Sequence, residues 1–100
     1  MTDNLNIRTM ETFDMAQQLR DEADVVEYLR QVLEEGESDE FVAALGHIAK
    51  ARGMTEIAQT SGIQREALYK ALRPHSQPRF DTIQRVCRAL GVQLTVKQDH

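Results

Sequence analysis

Apolar side chains recur at helical spacing through most of this chain. Val25, Leu29, Val32 and Leu33 fall at i, i+4, i+7 and i+8, which predicts a helix burying one stripe, with Asp21 as its cap, Asp24 at N3 and Gly36 as its stop. Ser38 caps a second helix whose first turn holds Asp39 and Glu40, where carboxylates complement the helix dipole. Phe41, Val42, Leu45, Ile48 and Ala49 form its inner face, and Gly53 ends it. Two short helices follow. Thr55 caps the first, which carries Ile57 and Ala58; the second starts near Arg65 and turns Leu68, Ala71 and Leu72 inward, with Ser61-Gly62-Ile63 as the turn between them. Pro74 and Pro78 bracket a loop, because proline neither continues a helix nor favours helical backbone in the residue before it. A fifth helix takes Phe80 to Leu90, with Ile83, Val86, Cys87 and Leu90 inward and Gly91 behind it.

From Val92 to Lys97 the pattern alternates apolar and polar, which predicts a strand. A lone strand is not stable in water, so it needs a partner: the segment from Leu5 to Thr9, or its own copy in a second subunit. The first twenty residues carry no strong period and read as an arm. The expectation is an all-α protein, a five-helix bundle with a helix-turn-helix of the lambda-repressor-like type plus a short C-terminal β-strand. Its parts are an N-terminal arm at 1–20, a helix-turn-helix DNA-binding domain at 21–97 and a tail at 98–100.

One hundred residues, 41% of them apolar, suffice for one modest core and no second. There is no run of about 18 apolar residues, and the N-terminus lacks the basic-then-apolar layout of a signal peptide, so the chain reads as cytoplasmic with no membrane partner. Cys87 is the single cysteine and has no His at ligand spacing, which excludes a disulfide framework or zinc finger and makes it a buried structural thiol. His47, His75 and His100 are isolated from one another. No acid pair, nucleophile-base arrangement or phosphate-cradling loop stands out, so no catalytic residue, metal site or cofactor is expected.

A formal net charge of −4 looks wrong for a nucleic-acid binder until its distribution is read. Residues 1–45 hold three basic groups against twelve acidic ones, a balance of −9; residues 46–88 hold eight against three, a balance of +5. Such asymmetry suggests two faces with different partners, although a solvated acidic surface would look the same.

Residues 54–73 carry the features that a helix-turn-helix requires. Ala58 is small where two helices cross, Gly62 permits a positive φ in a tight turn, and Ile57, Ile63 and Leu68 wedge the helices together. With Leu68, Ala71 and Leu72 inward, Glu66, Tyr69, Lys70 and Arg73 follow i, i+3, i+4, i+7 on the opposite stripe, with Gln64 and Arg65 at the N-terminal end. These six suit base-edge reading: Arg bonds guanine O6 and N7, Gln bonds adenine N6 and N7, and a helix N-terminus favours a phosphate. Tyr69 can touch a thymine methyl or a phosphate; the alternative is a ring half-buried against a neighbouring helix. Glu66 can accept from cytosine N4 or orient Arg65 or Lys70. Phosphate contacts are expected from Thr55, Arg52 and Arg79. Arg85 and Arg88 lie three apart on the outer face of helix five, as phosphate contacts or as solvated charge.

The chain also resembles the probable addiction module antidote proteins, antitoxins of bacterial toxin–antitoxin pairs with RelE/ParE-like toxins. The resemblance spans roughly residues 11–96. It rests on Phe13-Asp14, Tyr28-Leu29 and Leu33-Glu34-Glu35-Gly36, then on Ala43-Ala44-Leu45-Gly46 and Ile48 through Thr55. It continues in Gly62-Ile63, Arg65 through Leu72, Pro78-Arg79-Phe80 and Arg88 through Val92. Gln64 stands where the family places Ser, and Gln is a poor cap. The resemblance implies a homodimer that binds double-stranded operator DNA, represses its own operon and neutralises a cognate toxin. The acidic half could cover a basic toxin surface, with Glu27, Glu34, Glu35 and Glu37 as contacts by charge alone. Two other readings stay open: an acidic interaction module that neutralises a basic partner without binding DNA, and a stand-alone helix-turn-helix repressor.

Overall fold

The structure is a computed structural model, and residues 22–99 are described. Five helices follow one another: α1 at Glu22–Glu35, α2 at Ser38–Arg52, α3 at Met54–Ser61, α4 at Arg65–Leu72 and α5 at Phe80–Ala89. The arm at 1–20 and the Asp21 cap lie outside the described residues.

α2 is the axis of the fold, because it is apolar nearly all the way round. Phe41, Val42, Ala44, Leu45, Gly46, Ile48 and Ala49 are all buried on it, and it packs against each of the other four helices. α3 also packs on α4 and α5, so the C-terminal four helices close around Leu45, Ile48, Leu68, Val86, Cys87 and Leu90. Burial in that core raises the Cys87 thiol to about 11, so it stays protonated at neutral pH.

The five helices expected from periodicity are present, and their inner faces are largely those expected. Leu33 is the exception: it is exposed, whereas Val25 and Leu29 are buried and Val32 is partly buried. At about 100° per residue, Leu33 lies about 80° round the axis from Val25, and a helix packed mainly on one neighbour buries a narrower stripe than that.

Two caps shift, one by a single residue and one by two. α2 begins from Glu37 rather than Ser38, with Glu37 C=O accepting from Phe41 N–H (3.2 Å) and Glu37 N–H donating to Glu40 Oε1 (2.7 Å). α3 begins from Gly53, whose carbonyl accepts from Ile57 N–H (3.1 Å), so Thr55 stands inside the helix and is not its cap.

Two glycines set the α2–α3–α4 arrangement. Gly62 adopts φ 75°, the left-handed backbone that the turn demands, and its N–H closes α3 on Ala58 C=O (3.0 Å). Ser61 Oγ braces the same turn by accepting from Ile63 N–H (3.3 Å). Gly46 lets α4 approach α2: a Cβ there would stand 2.8 Å from the Leu72 carbonyl oxygen.

The strand expected at 92–96 is absent; among the described residues there is no strand at all. Val92 N–H bonds back to Cys87 C=O (2.8 Å), and Val92 and Leu94 fold onto the core. A ladder needs a second strand, and none lies beside this segment among the described residues. One of the two partners considered for it, Leu5 to Thr9, falls outside them. No helix among the described residues is long and apolar enough to cross a membrane.

Candidate nucleic-acid interface

The candidate surface is built on α4. Leu68 and Leu72 pin one side of this two-turn helix in the core, which forces its remaining side chains outward. Gln64, Arg65, Glu66, Tyr69, Lys70 and Arg73 are all exposed, as their spacing predicted. Gln64 occupies the N-cap position, is exposed and makes no capping bond with its side chain, so its amide is left to other partners. Tyr69 keeps 41% of its surface, and the Arg65 guanidinium sits over its ring at 5.6 Å from the centroid. That contact holds two long outward side chains in one orientation, which reduces what a ligand must order.

α2 contributes to the same surface. A cleft of about 230 Å³ runs between the helices, lined by Lys50 and Gly46 of α2, by Met54, and by Tyr69, Lys70 and Arg73. The close approach at Gly46 creates it, and Lys50, one turn further along α2, is carried to the edge of α4. The charge count included Lys50 without assigning it a role. Its spacing of four from Gly46 was the available signal, readable only once α2 and α4 are known to touch there.

Among the described residues, Lys50, Arg65, Lys70 and Arg73 form no ion pair with a carboxylate. Two other cations are committed, whereas Arg52, Arg79, Arg88 and Lys97 also form no ion pair among the described residues. Arg85 pairs with Asp81 one turn away (3.1 Å), and Arg30 grips Glu27 (2.7 Å) and Glu34 (3.0 Å). The α4 surface is thus a patch of uncompensated positive charge around an aromatic ring, with Glu66 beside it as the one exposed acid of α4.

The expected phosphate contacts do not join this cleft. Arg52 and Thr55 flank the α2–α3 junction, and Arg79 is the N-cap residue of α5 next to Pro78 and Phe80. Of the acidic residues expected to meet a toxin, Glu27 and Glu34 are tied to Arg30, and a hydrogen bond from Arg30 lowers the carboxyl of Glu27 below its ordinary range. Glu35 is exposed at the end of α1. Glu37 caps α2 and lines a separate apolar groove. Among the described residues no group of three His, Cys, Asp or Glu side chains could hold a metal ion.

Comparison with known proteins agrees in extent with the pattern of residues. The family profile described as "Probable addiction module antidote protein" matches residues 9–98. An uncharacterized protein of Haemophilus influenzae is 42% identical over 89 residues, which cover 89% of this chain and 92% of that protein. No solved structure matches the chain. A match from residue 9 to residue 98 spans the four-helix core, the acidic helix α1 and the C-terminal segment together, and on that basis the chain belongs to the family of probable addiction module antidote proteins.

Proposed function

We propose that this protein is a DNA-binding antitoxin: it represses its own operon through α4 and neutralises a cognate RelE/ParE-like toxin. The reading takes α3, the Gly62 turn and α4 as a helix-turn-helix of the lambda-repressor type, with α4 entering the major groove. The observation that carries it is the exposed stripe of α4 with Lys50 beside it: four cations without acidic partners, set around a tyrosine ring that a solvated helix has no reason to present. In this reading Gln64 and Arg65 at the N-terminal end meet base edges, and Glu66, Tyr69, Lys70 and Arg73 line the groove. Lys50 and the flanking Arg52, Thr55 and Arg79 meet phosphates. The toxin contact belongs to the acidic surface of α1 and the α1–α2 link, where Glu27, Glu34, Glu35 and Glu37 would face a basic partner. Antidote family membership supports a toxin partner.

The test is binding to the DNA upstream of the protein's own gene across several salt concentrations, with Arg65→Ala and Tyr69→Ala beside wild type. Specific wild-type binding should weaken steeply with salt, at a slope of about −0.9 per phosphate contacted. Arg65→Ala should lose about 1–3 kcal/mol of discrimination at its base. If no specific complex forms even at low salt, the DNA reading fails, and an acidic interaction module that neutralises a basic partner becomes the better account.

A further inference from the structure

The cleft of about 230 Å³ between α2 and α4 has two kinds of lining that no single polar group satisfies. Its rim is cationic: Lys50, Lys70 and Arg73 are exposed there and form no ion pair among the described residues. The rest is apolar, made by Met54 and Leu72, each only 5% exposed, and by the ring of Tyr69. Like charges at the rim repel one another, so the chain does not close the cleft by itself. At about 30 Å³ per molecule in the liquid, it has room for several waters. Water held against methionine and leucine is released at a gain when an apolar group takes its place.

We infer that this cleft selects thymine: the C5-methyl edge of one thymine seats against Met54 and Tyr69, while a phosphate of the same strand meets Lys50. The inference rests on the proposed DNA binding through α4, and adds which base the cleft takes and which side chains take it. A phosphate alone does not account for the lining, since an anion is drawn to the three cations but loses hydration against Met54 and Leu72. Base edges in the major groove are hydrogen-bond donors and acceptors with one apolar exception, the thymine methyl. Phosphates flank that methyl along its strand, so an apolar group and an anion arrive together, as floor and rim require. Met54 is the first residue of α3, and its unbranched, polarizable side chain adapts its shape to a methyl group. Tyr69 stands on the other side, its ring held by the Arg65 guanidinium 5.6 Å from the centroid. Among the described residues no acid lines the cleft, so the amino group of a cytosine in the same place finds no carboxylate to accept it.

Fluorescence anisotropy of the full chain with the DNA upstream of its own gene reads the outcome, each thymine of the bound site being replaced in turn by deoxyuridine. That replacement removes the methyl group and alters no hydrogen-bonding group. At one or more positions it should weaken wild-type binding about fourfold, the effect of one buried methyl group. Met54→Gln, nearly isosteric but polar, should bring the thymine-to-uracil ratio at that position to about one, with circular dichroism confirming the helices. Tyr69→Ala, at an exposed position, should lower the same ratio and carries the test if Met54→Gln does not fold. Lys50→Ala should weaken both duplexes alike and keep the ratio. Phe80→Ser, in the apolar groove near Leu33 at the other end of α2, should also keep it. Specific binding with a flat deoxyuridine scan overturns the inference and leaves the DNA reading standing. So does a thymine dependence that survives both Met54→Gln and Tyr69→Ala, or one that Phe80→Ser abolishes. If no specific complex forms at low salt, the DNA reading fails and this inference with it.

Discussion

The two ends of α2 face different chemistry. At its C-terminal end, Lys50 joins α4 in a surface where four cations have no acidic partner; at its N-terminal end, apolar side chains are exposed beside acids. Along α1, by contrast, Arg30 takes up Glu27 and Glu34 locally. A folded chain that compensates charge in one place and leaves it uncompensated in another shows where a partner is expected to supply the counter-charge. The overall charge of −4 conceals this, because attraction to a phosphate backbone depends on the field at the contact and hardly on the sum.

The comparison breaks most severely if α4 loses its anchor. Leu68 is fully buried, so Leu68→Ala should cost about 2–5 kcal/mol in urea unfolding and loosen the α4 surface, while the groove at the other end of α2 changes only through the loss of stability. Gly46→Ala acts on the same contact from the α2 side. The added methyl meets the Leu72 carbonyl at 2.8 Å, and although alanine favours a helix by about 1 kcal/mol over glycine, the collision should leave the variant about 1–3 kcal/mol less stable. Lys50→Ala should leave folding unchanged, weaken DNA binding about equally across sequences and reduce the salt slope by about one unit, because a phosphate contact carries no base information. The smallest effect belongs to Arg30→Gln. The carboxyl of Glu27 is lowered in the folded state, so its contribution is present above the unfolded-state value and disappears as pH falls through the folded one. Thermal melts should therefore show a slight advantage of wild type over Arg30→Gln at neutral pH that vanishes on acidification and, since the pair is exposed, shrinks with added salt.

Among the described residues periodicity was enough to find every helix and most of the core, because five short amphipathic segments each need one buried stripe and glycines or prolines separate them. It misjudged Leu33 because a stripe's width depends on how many neighbours a helix has, which spacing does not report. Ser38 and Thr55 are natural caps by residue type, yet Glu37 and Gly53 hold those positions, since backbone geometry at the start of a helix admits alternatives one or two residues apart. The alternation at 92–97 has the period of a strand, but Val92 and Leu94 use their apolar character to close the core. On α4 the outward set from Gln64 to Arg73 was legible from the i, i+3, i+4, i+7 rule alone. Lys50 and the Arg65–Tyr69 contact were not, because both depend on distances between elements or between rotamers.

Amide chemical-shift mapping of the full chain with the DNA upstream of its own gene tests the central claim most directly. Shifts should concentrate at residues 64–73 and at Lys50, stay absent from Glu27 and Glu34 on α1, and fade together as salt rises. Shifts confined to α1 and the Leu33–Phe80 groove, or none at low salt, would contradict it.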